Sequence, residues 1–128
     1  MIGISHIALN VSDLDVQKSF YTHYFNGKAS PHYHNPRTGL ETCFIQFEDG
    51  GRLELMHWKG SIQRLSGTKV LGFIHLAFSV GSKEAVDLLT LKMRNADIKI
   101  ISGPRPTGDG YYETLLEDPE GNLVEVTV

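Results

Sequence analysis

The chain has 128 residues, with 12 lysines and arginines against 15 aspartates and glutamates, a formal net charge of −3 and a hydrophobic content of 41%. These values are typical of one globular domain without the basic surface that nucleic acids require, and no apolar run approaches the roughly 20 residues of a membrane span. The single cysteine, Cys43, excludes an internal disulfide and a thiolate metal cluster, and with no secretory signal at the N-terminus we expect a cytoplasmic protein.

The first half of the chain predicts one strand, one helix and three further strands. Alternating apolar residues over 3–11 predict the first strand, and Asp13 or Asp15 can cap a helix over 14–25 that ends at Asn26-Gly27. Turn-forming residues separate the strands predicted after this helix, which lie near 28–34, 41–48 and 52–58.

The second half repeats this order, with a strand over 72–80, a helix over 83–95 and strands near 97–102, 111–117 and 122–128. The segment His-Ile-Ala-Leu-Asn-Val at 6–11 returns as His-Leu-Ala-Phe-Ser-Val at 75–80. The proline- and glycine-rich residues at 103–108 are interpreted as a mobile flap. The chain therefore reads as two β-α-β-β-β modules, about 1–65 and 66–128.

Four of these strands each place one histidine or glutamate opposite their apolar face, since side chains alternate along a strand. These residues are His6, Glu54, His75 and Glu125. Taken singly, a buried structural histidine or a solvated glutamate is the simpler interpretation. Their recurrence at matching positions favours a metal site instead, because two imidazoles and two carboxylates suit a divalent ion and leave positions open for substrate.

The paired modules, the segments at 6–11 and 75–80 and the segment Glu-Asp-Pro-Glu-Gly-Asn at 117–122 resemble the vicinal oxygen chelate superfamily over essentially the whole chain. That superfamily includes glyoxalase I, extradiol dioxygenases, fosfomycin-resistance thiol transferases and bleomycin-binding proteins. The resemblance implies that His6, Glu54, His75 and Glu125 bind one divalent metal per site, Ni or Zn first, with Co, Mn and Fe as alternatives. The complete His/Glu/His/Glu set is most similar to that of glyoxalase I.

The resemblance also implies a single domain over 1–128 with an α+β fold. Its eight strands are expected to form an open, mostly antiparallel, barrel-like sheet with the helices outside. We further expect a homodimer with a small-molecule substrate, because members of this superfamily often complete the concave sheet between chains and small domains gain buried area by pairing.

The function implied is that of a metal-dependent lyase or isomerase, which moves a proton beside a carbonyl through an enediolate of a 2-oxoaldehyde–thiol adduct. A ligand carboxylate, Glu125 or Glu54, would be the catalytic base, and the sequence does not choose between them. Another metalloenzyme of this fold (a dioxygenase or thiol transferase) and a non-catalytic binding or resistance protein are the alternatives.

Substrate contacts are predicted at one strand residue and three loop cations. Asn10 stands where glyoxalase I proteins commonly carry an arginine for a glutathione carboxylate. An anionic substrate would then need replacement cations, for which the loops offer Arg37, Lys59 and Arg105.

Overall fold

The computed structural model describes residues 1–64 and 69–128, which belong to two compact units, Met1–Arg64 and Leu65–Val128. Each unit contains one helix and one mixed sheet, which confirms the predicted α+β fold and its repeated order. Neither sheet closes on itself in the described part of the chain. Neither of the helices found there is long and apolar enough to cross a membrane.

The elements of the first unit are β1 (Ile7–Asn10), α1 (Leu14–Phe25), β2 (Lys28–Ala29), β3 (Tyr33–His34), β4 (Glu41–Gln46) and β5 (Arg52–His57). The strands form a five-stranded sheet in the order β1-β5-β4-β2, and β3 also pairs with β4. The strands β1 and β5 are parallel, and the other pairs are antiparallel.

The elements of the second unit are β6 (His75–Ser79), α2 (Lys83–Asn95), β7 (Ile100–Pro106), β8 (Tyr112–Glu117) and β9 (Leu123–Thr127). The strands form a four-stranded sheet in the order β6-β9-β8-β7, in which β6 and β9 are again the parallel pair. In each unit the first strand therefore lies beside the last one.

The strand predicted over 28–34 is divided into β2 and β3. Pro31 has no backbone N–H to donate, so it interrupts regular pairing. At the break, the backbone N–H of Phe44 donates to the Ser30 side-chain oxygen at 2.9 Å instead of to a strand carbonyl. This side-chain bond, together with the backbone bond from the Ser30 N–H to the Phe44 carbonyl at 2.7 Å, keeps the segment attached to β4 across the interruption.

The prediction of a mobile flap at 103–108 was wrong for its first four residues, because 103–106 belong to β7. Gly103 lies so close to β8 that a Cβ there would come within 2.5 Å of the Glu113 carbonyl oxygen, and its φ is +97°. Only glycine fits this approach. Register shifts on both sides of Ser102 accommodate it while the strand continues to pair.

Helix α1 begins at the expected cap, since the Asp13 carboxylate accepts a hydrogen bond from the Val16 N–H at 3.0 Å. It ends at Asn26, whose φ of 55° is left-handed. Val16, an apolar residue in the first turn of the helix, is 46% exposed. The helix packs on β4 and β5. Its buried residues are Leu14, Gln17, Phe20, Tyr21 and Phe25.

Helix α2 is capped by Ser82 and packs against β8 through a buried polar contact. The Thr90 hydroxyl donates to the Val86 carbonyl at 2.7 Å, so the Thr114 hydroxyl must donate to Thr90 Oγ1, also at 2.7 Å. Both threonines are almost fully buried. The Thr114 hydroxyl therefore depends on Thr90 as its acceptor, whereas the Thr90 hydroxyl keeps its own bond to the Val86 carbonyl.

We expect Thr90→Val to reduce the free energy of unfolding by about 1–3 kcal/mol, because it leaves the buried Thr114 hydroxyl without its acceptor. Thr114→Val should cost about 1 kcal/mol, since Thr90 keeps its bond to Val86. The double variant should be more stable than the sum of the single losses implies. Urea unfolding of the four proteins measures this coupling, and strictly additive losses would contradict it.

Candidate functional site

His6 and Glu54 lie on one face of the first sheet. His6 directly precedes β1, and Glu54 is at the centre of β5. The parallel register places Ala8 opposite Glu54, so His6, two residues before Ala8, shares its face. His6 Nε2 is 3.3 Å from Glu54 Oε2.

The second unit repeats this arrangement with His75 and Glu125. Ala77 on β6 is opposite Glu125 on β9, and His75 lies two residues before Ala77. His75 Nε2 is 3.3 Å from Glu125 Oε2, the same separation as in the first pair. In both pairs the histidine is partly exposed and the glutamate is the more buried partner.

The two pairs fit the donor spacing of a divalent metal. Metal–ligand distances of about 2.0–2.2 Å place neighbouring donors about 3.0 Å apart in an octahedral shell and about 3.4 Å apart in a tetrahedral one. The 3.3 Å separations lie within this interval. Within residues 1–64 and 69–128 no third His, Cys, Asp or Glu joins either pair to form a metal-binding group. Each of the two pairs by itself thus supplies two donors, one imidazole nitrogen and one carboxylate oxygen.

Three residues that the sequence analysis did not single out surround His6. Phe44, opposite Glu54 on β4, contacts the His6 ring edge-on with centroids 5.3 Å apart. The Arg52 guanidinium carbon lies 5.0 Å from the centroid of the Phe44 ring, and Nη2 donates to Ser5 Oγ at 2.9 Å. Strand alternation was the available signal, since Arg52 is two residues before Glu54.

A second carboxyl group, which the sequence analysis also missed, lies beside Glu125. Leu115 on β8 is opposite Glu125, and Glu113 shares their face because it is two residues before Leu115. Burial, a hydrogen bond with Glu125 and the charge of Glu125 raise the pKa of Glu113 above its ordinary value. Arg105, opposite Glu113 on β7, acts in the other direction.

A profile of one protein family matches residues 3–126, nearly the whole chain. The chain belongs to the glyoxalase/bleomycin resistance protein/dioxygenase superfamily. It is 27% identical over 125 residues to protein YqjT of Bacillus subtilis (strain 168), and the match covers 94% of each chain.

Solved structures of this superfamily have the same fold. The trypanothione-dependent glyoxalase I of Leishmania major aligns with a TM-score of 0.78 and 22% identity, over 99% of this chain and 86% of that one. A variant of the fosfomycin resistance protein FosX of Listeria monocytogenes, complexed with Mn(II) and 1S,2S-dihydroxypropylphosphonic acid, aligns with a TM-score of 0.76 and 23% identity. That alignment covers 99% of this chain and 93% of FosX. Superfamily members thus include enzymes that bind divalent metals.

In this superfamily member, Asn10 fixes the loop that follows β5. Its Nδ2 donates to Ser61 Oγ at 2.8 Å, and its Oδ1 accepts from the Trp58 backbone N–H at 3.3 Å. Ser61 Oγ in turn donates to the Trp58 carbonyl at 2.7 Å. Lys59 belongs to this loop, so Asn10 holds the segment that carries a second predicted substrate-binding residue.

The two predicted arginines have different surroundings. Arg105 lies beside Glu113 and therefore near the His75–Glu125 pair. Arg37 lies in the turn that joins β3 to β4, where its backbone N–H donates to the Asn35 side chain at 3.0 Å. The structure thus associates Arg105 with a candidate ligand pair and leaves Arg37 in a separate turn.

Trp58 is the single tryptophan of the chain and reports on the loop that Asn10 holds. We expect Asn10→Ala to increase acrylamide quenching of Trp58 fluorescence, because both side-chain bonds to the loop are lost. Asn10→Asp should change it less, since an Asp oxygen still accepts from the Trp58 N–H. Equal quenching in the parent and in Asn10→Ala would show that the loop is held by other contacts.

Proposed function

We propose that this protein is a metal-dependent, glyoxalase I-like lyase or isomerase. His6 and Glu54 together with His75 and Glu125 would bind one divalent ion, with Ni or Zn the first choice and Co, Mn or Fe as alternatives. The two pairs would come from one chain or from two chains of a homodimer. The observation that carries the proposal is the repeated His Nε2–Glu Oε2 pair at 3.3 Å in both units.

The chemistry proposed is a proton transfer between neighbouring carbons of a 2-oxoaldehyde–thiol adduct. A divalent ion supplies Lewis acidity, which polarises a carbonyl and a hydroxyl oxygen of the substrate. The protein's own part is the base, Glu125 or Glu54, which takes the proton from the carbon that bears sulfur and the hydroxyl. The same carboxyl returns it to the former carbonyl carbon, while the hydroxyl proton moves to the other oxygen, so no atom is gained or lost.

Arg105 is the cation best supported as a substrate contact. It lies opposite Glu113, whose carboxyl group hydrogen-bonds with the candidate ligand Glu125. A guanidinium there can bind a carboxylate or another anion through two parallel hydrogen bonds. We propose Asn10 at the end of β1, Lys59 in the loop that follows β5, and Arg37 in its turn as further substrate contacts.

A second candidate function is the modification of a phosphonate. The observation that favours it is the same Arg105, since a phosphonate needs a cation near the metal ligands. FosX, whose fold this chain shares, was crystallised with Mn(II) and a dihydroxypropylphosphonic acid. Assays with methylglyoxal and several thiols on one side, and with fosfomycin with and without a thiol on the other, distinguish the two candidates.

We expect the protein purified without chelator to contain a divalent metal, and His6→Ala or His75→Ala to lose most of it, because each removes an imidazole donor. Glu54→Gln and Glu125→Gln should retain more metal, since the amide keeps an oxygen donor. The variant that lacks the base should lose about 10²–10⁴-fold in turnover, which identifies the catalytic glutamate. Metal analysis and turnover with methylglyoxal and thiols measure both effects.

The control for the histidine variants is His34→Ala, because His34 is exposed on β3. It should leave metal content unchanged. A protein whose His34→Ala variant loses metal while His6→Ala and His75→Ala retain it has its metal site elsewhere. In that case the proposed reaction also fails, since its base was chosen from the ligands.

We also propose that the protein is a homodimer. Apolar side chains stand exposed just before both candidate histidines: Ile4 is 86% exposed and Phe73 is 87% exposed. Ile74 and Leu71 add further apolar surface beside Phe73. A second copy of the chain that covered these residues would remove them from water next to the ligands.

Sedimentation at micromolar concentration should give a species of twice the 14.3 kDa of one chain. We expect Phe73→Glu to shift it to the monomer, because the interface would then bury an unpaired charge. Leu88→Glu changes an apolar residue on α2 that is 69% exposed, and it should leave the dimer intact. A parent protein that sediments only as one chain contradicts the proposal.

A further inference from the structure

The His6 ring is held at its second nitrogen by a serine that is itself held by an arginine. Ser5 Oγ lies 3.2 Å from His6 Nδ1. Arg52 Nη2 donates to the same Oγ at 2.9 Å. On the opposite side of the ring, Nε2 lies 3.3 Å from Glu54 Oε2. His6 is therefore the third member of a chain of side chains that runs from Arg52 through Ser5 to Glu54.

The end groups of this chain determine the direction of its hydrogen bonds. A guanidinium only donates and an ionised carboxylate only accepts. In a neutral ring, His6 Nε2 must therefore carry the proton that faces Glu54, and Nδ1 is left as an acceptor. Because Arg52 donates to a lone pair of Ser5 Oγ, the hydroxyl proton of Ser5 is free to be donated to Nδ1.

Metal binding through Nε2 reverses the requirement at Nδ1. A ligating Nε2 carries no proton, so the neutral ring must hold its proton on Nδ1, which then needs an acceptor. A serine hydroxyl rotates and has two lone pairs, so Ser5 Oγ can accept from His6 and from Arg52 at once. The same heavy-atom contacts therefore serve both forms of the ring.

Arg52 and the ring of His6 are both held by Phe44. The Arg52 guanidinium carbon lies 5.0 Å from the centroid of the Phe44 ring, within the range of a cation–π contact. The Phe44 ring also packs edge-on against His6 at 5.3 Å. The serine oxygen and the imidazole are thus fixed relative to one aromatic ring.

The matching positions of the second unit have no polar side chains for this purpose. Ile74 precedes His75 as Ser5 precedes His6. Leu123, which is opposite His75, stands two residues before Glu125 as Arg52 stands before Glu54. The support of Nδ1 is therefore a property of the first unit and not of the repeat.

We infer that Arg52 and Ser5 are positioning residues that orient His6 and accept its Nδ1 proton when the ring binds a metal. This inference rests on the proposed metal site. With these contacts, the His6 ring of the His6–Glu54 pair is already oriented before a metal ion binds. Partners of this kind typically contribute 10–100-fold to metal affinity.

The first measurement is the ¹⁵N NMR spectrum of the His6 imidazole, without metal and with Zn²⁺. We expect the proton on Nε2 in the metal-free protein and on Nδ1 in the zinc-loaded protein. Ser5→Ala should reduce the population of the Nε2-protonated ring in the metal-free protein, because Nδ1 loses its donor. Ser5→Thr keeps a hydroxyl and should retain the parent spectrum.

The second measurement is the affinity for Zn²⁺ by competition with a chromophoric chelator. Ser5→Ala and Arg52→Met should each lower it about 10–100-fold, and Ser5→Thr should restore it. Two exposed residues give matched controls, Ser19→Ala on α1 and Arg94→Met on α2, and neither should change the affinity. Circular dichroism of each variant verifies that it is folded.

The outcomes separate the inference from the proposed function. Zinc affinity that depends on His6 but is the same in Ser5→Ala, Arg52→Met and the controls overturns the inference alone. A metal-free His6 with its proton on Nδ1 overturns it as well. A parent protein that binds no zinc, or binds it equally well after His6→Ala, overturns the metal site on which both depend.

Discussion

The parallel pairing of the first and last strands in each unit is the constraint on which the candidate site depends. His6 and Glu54 are far apart in sequence, and only the β1–β5 register brings their side chains to one face. A shift of this register by one residue would turn every side chain of a strand to the opposite face. The buried leucines of β5, Leu53 and Leu55, prevent such a shift, because it would expose them and bury Glu54. The core that packs under the helix therefore also fixes the positions of the candidate ligands.

The sequence predicted most of the fold because apolar alternation, caps and turns agree along most of the chain. The helices over 14–25 and 83–95 match Leu14–Phe25 and Lys83–Asn95. The sequence-based prediction was wrong at 103–106, because prolines and a glycine are usually signs of a loop. Close backbone approach of Gly103 to β8 keeps that segment in the sheet, and such a tertiary contact has no local pattern. The prediction of one strand over 28–34 was wrong at Pro31. Here the reason is local, because a proline has no N–H for strand pairing, and the sequence did show it.

The candidate ligands could be predicted because a repeat compares one half of the chain with the other. His6 matches His75, and Glu54 matches Glu125, so the pattern is visible without a structure. Residues that the repeat does not share had no such signal. Ser5 meets Arg52, and Glu113 meets Glu125, across neighbouring segments of a sheet, so these partners can be identified only once the register is known.

The two units thus contain the same pair of candidate ligands, one histidine and one glutamate, and differ in the residues that surround it. Around His6, an arginine, a serine and an aromatic ring hold the imidazole. Around Glu125, a neighbouring carboxyl group, Glu113, has a raised pKa because burial and a hydrogen bond favour its protonated form. Holding an ion requires a fixed ligand, whereas moving a proton requires a carboxylate in a setting where protons are exchanged. Within the proposed site, the first unit would therefore offer the more firmly held imidazole, and the second unit the carboxyl group whose neighbour favours a bound proton.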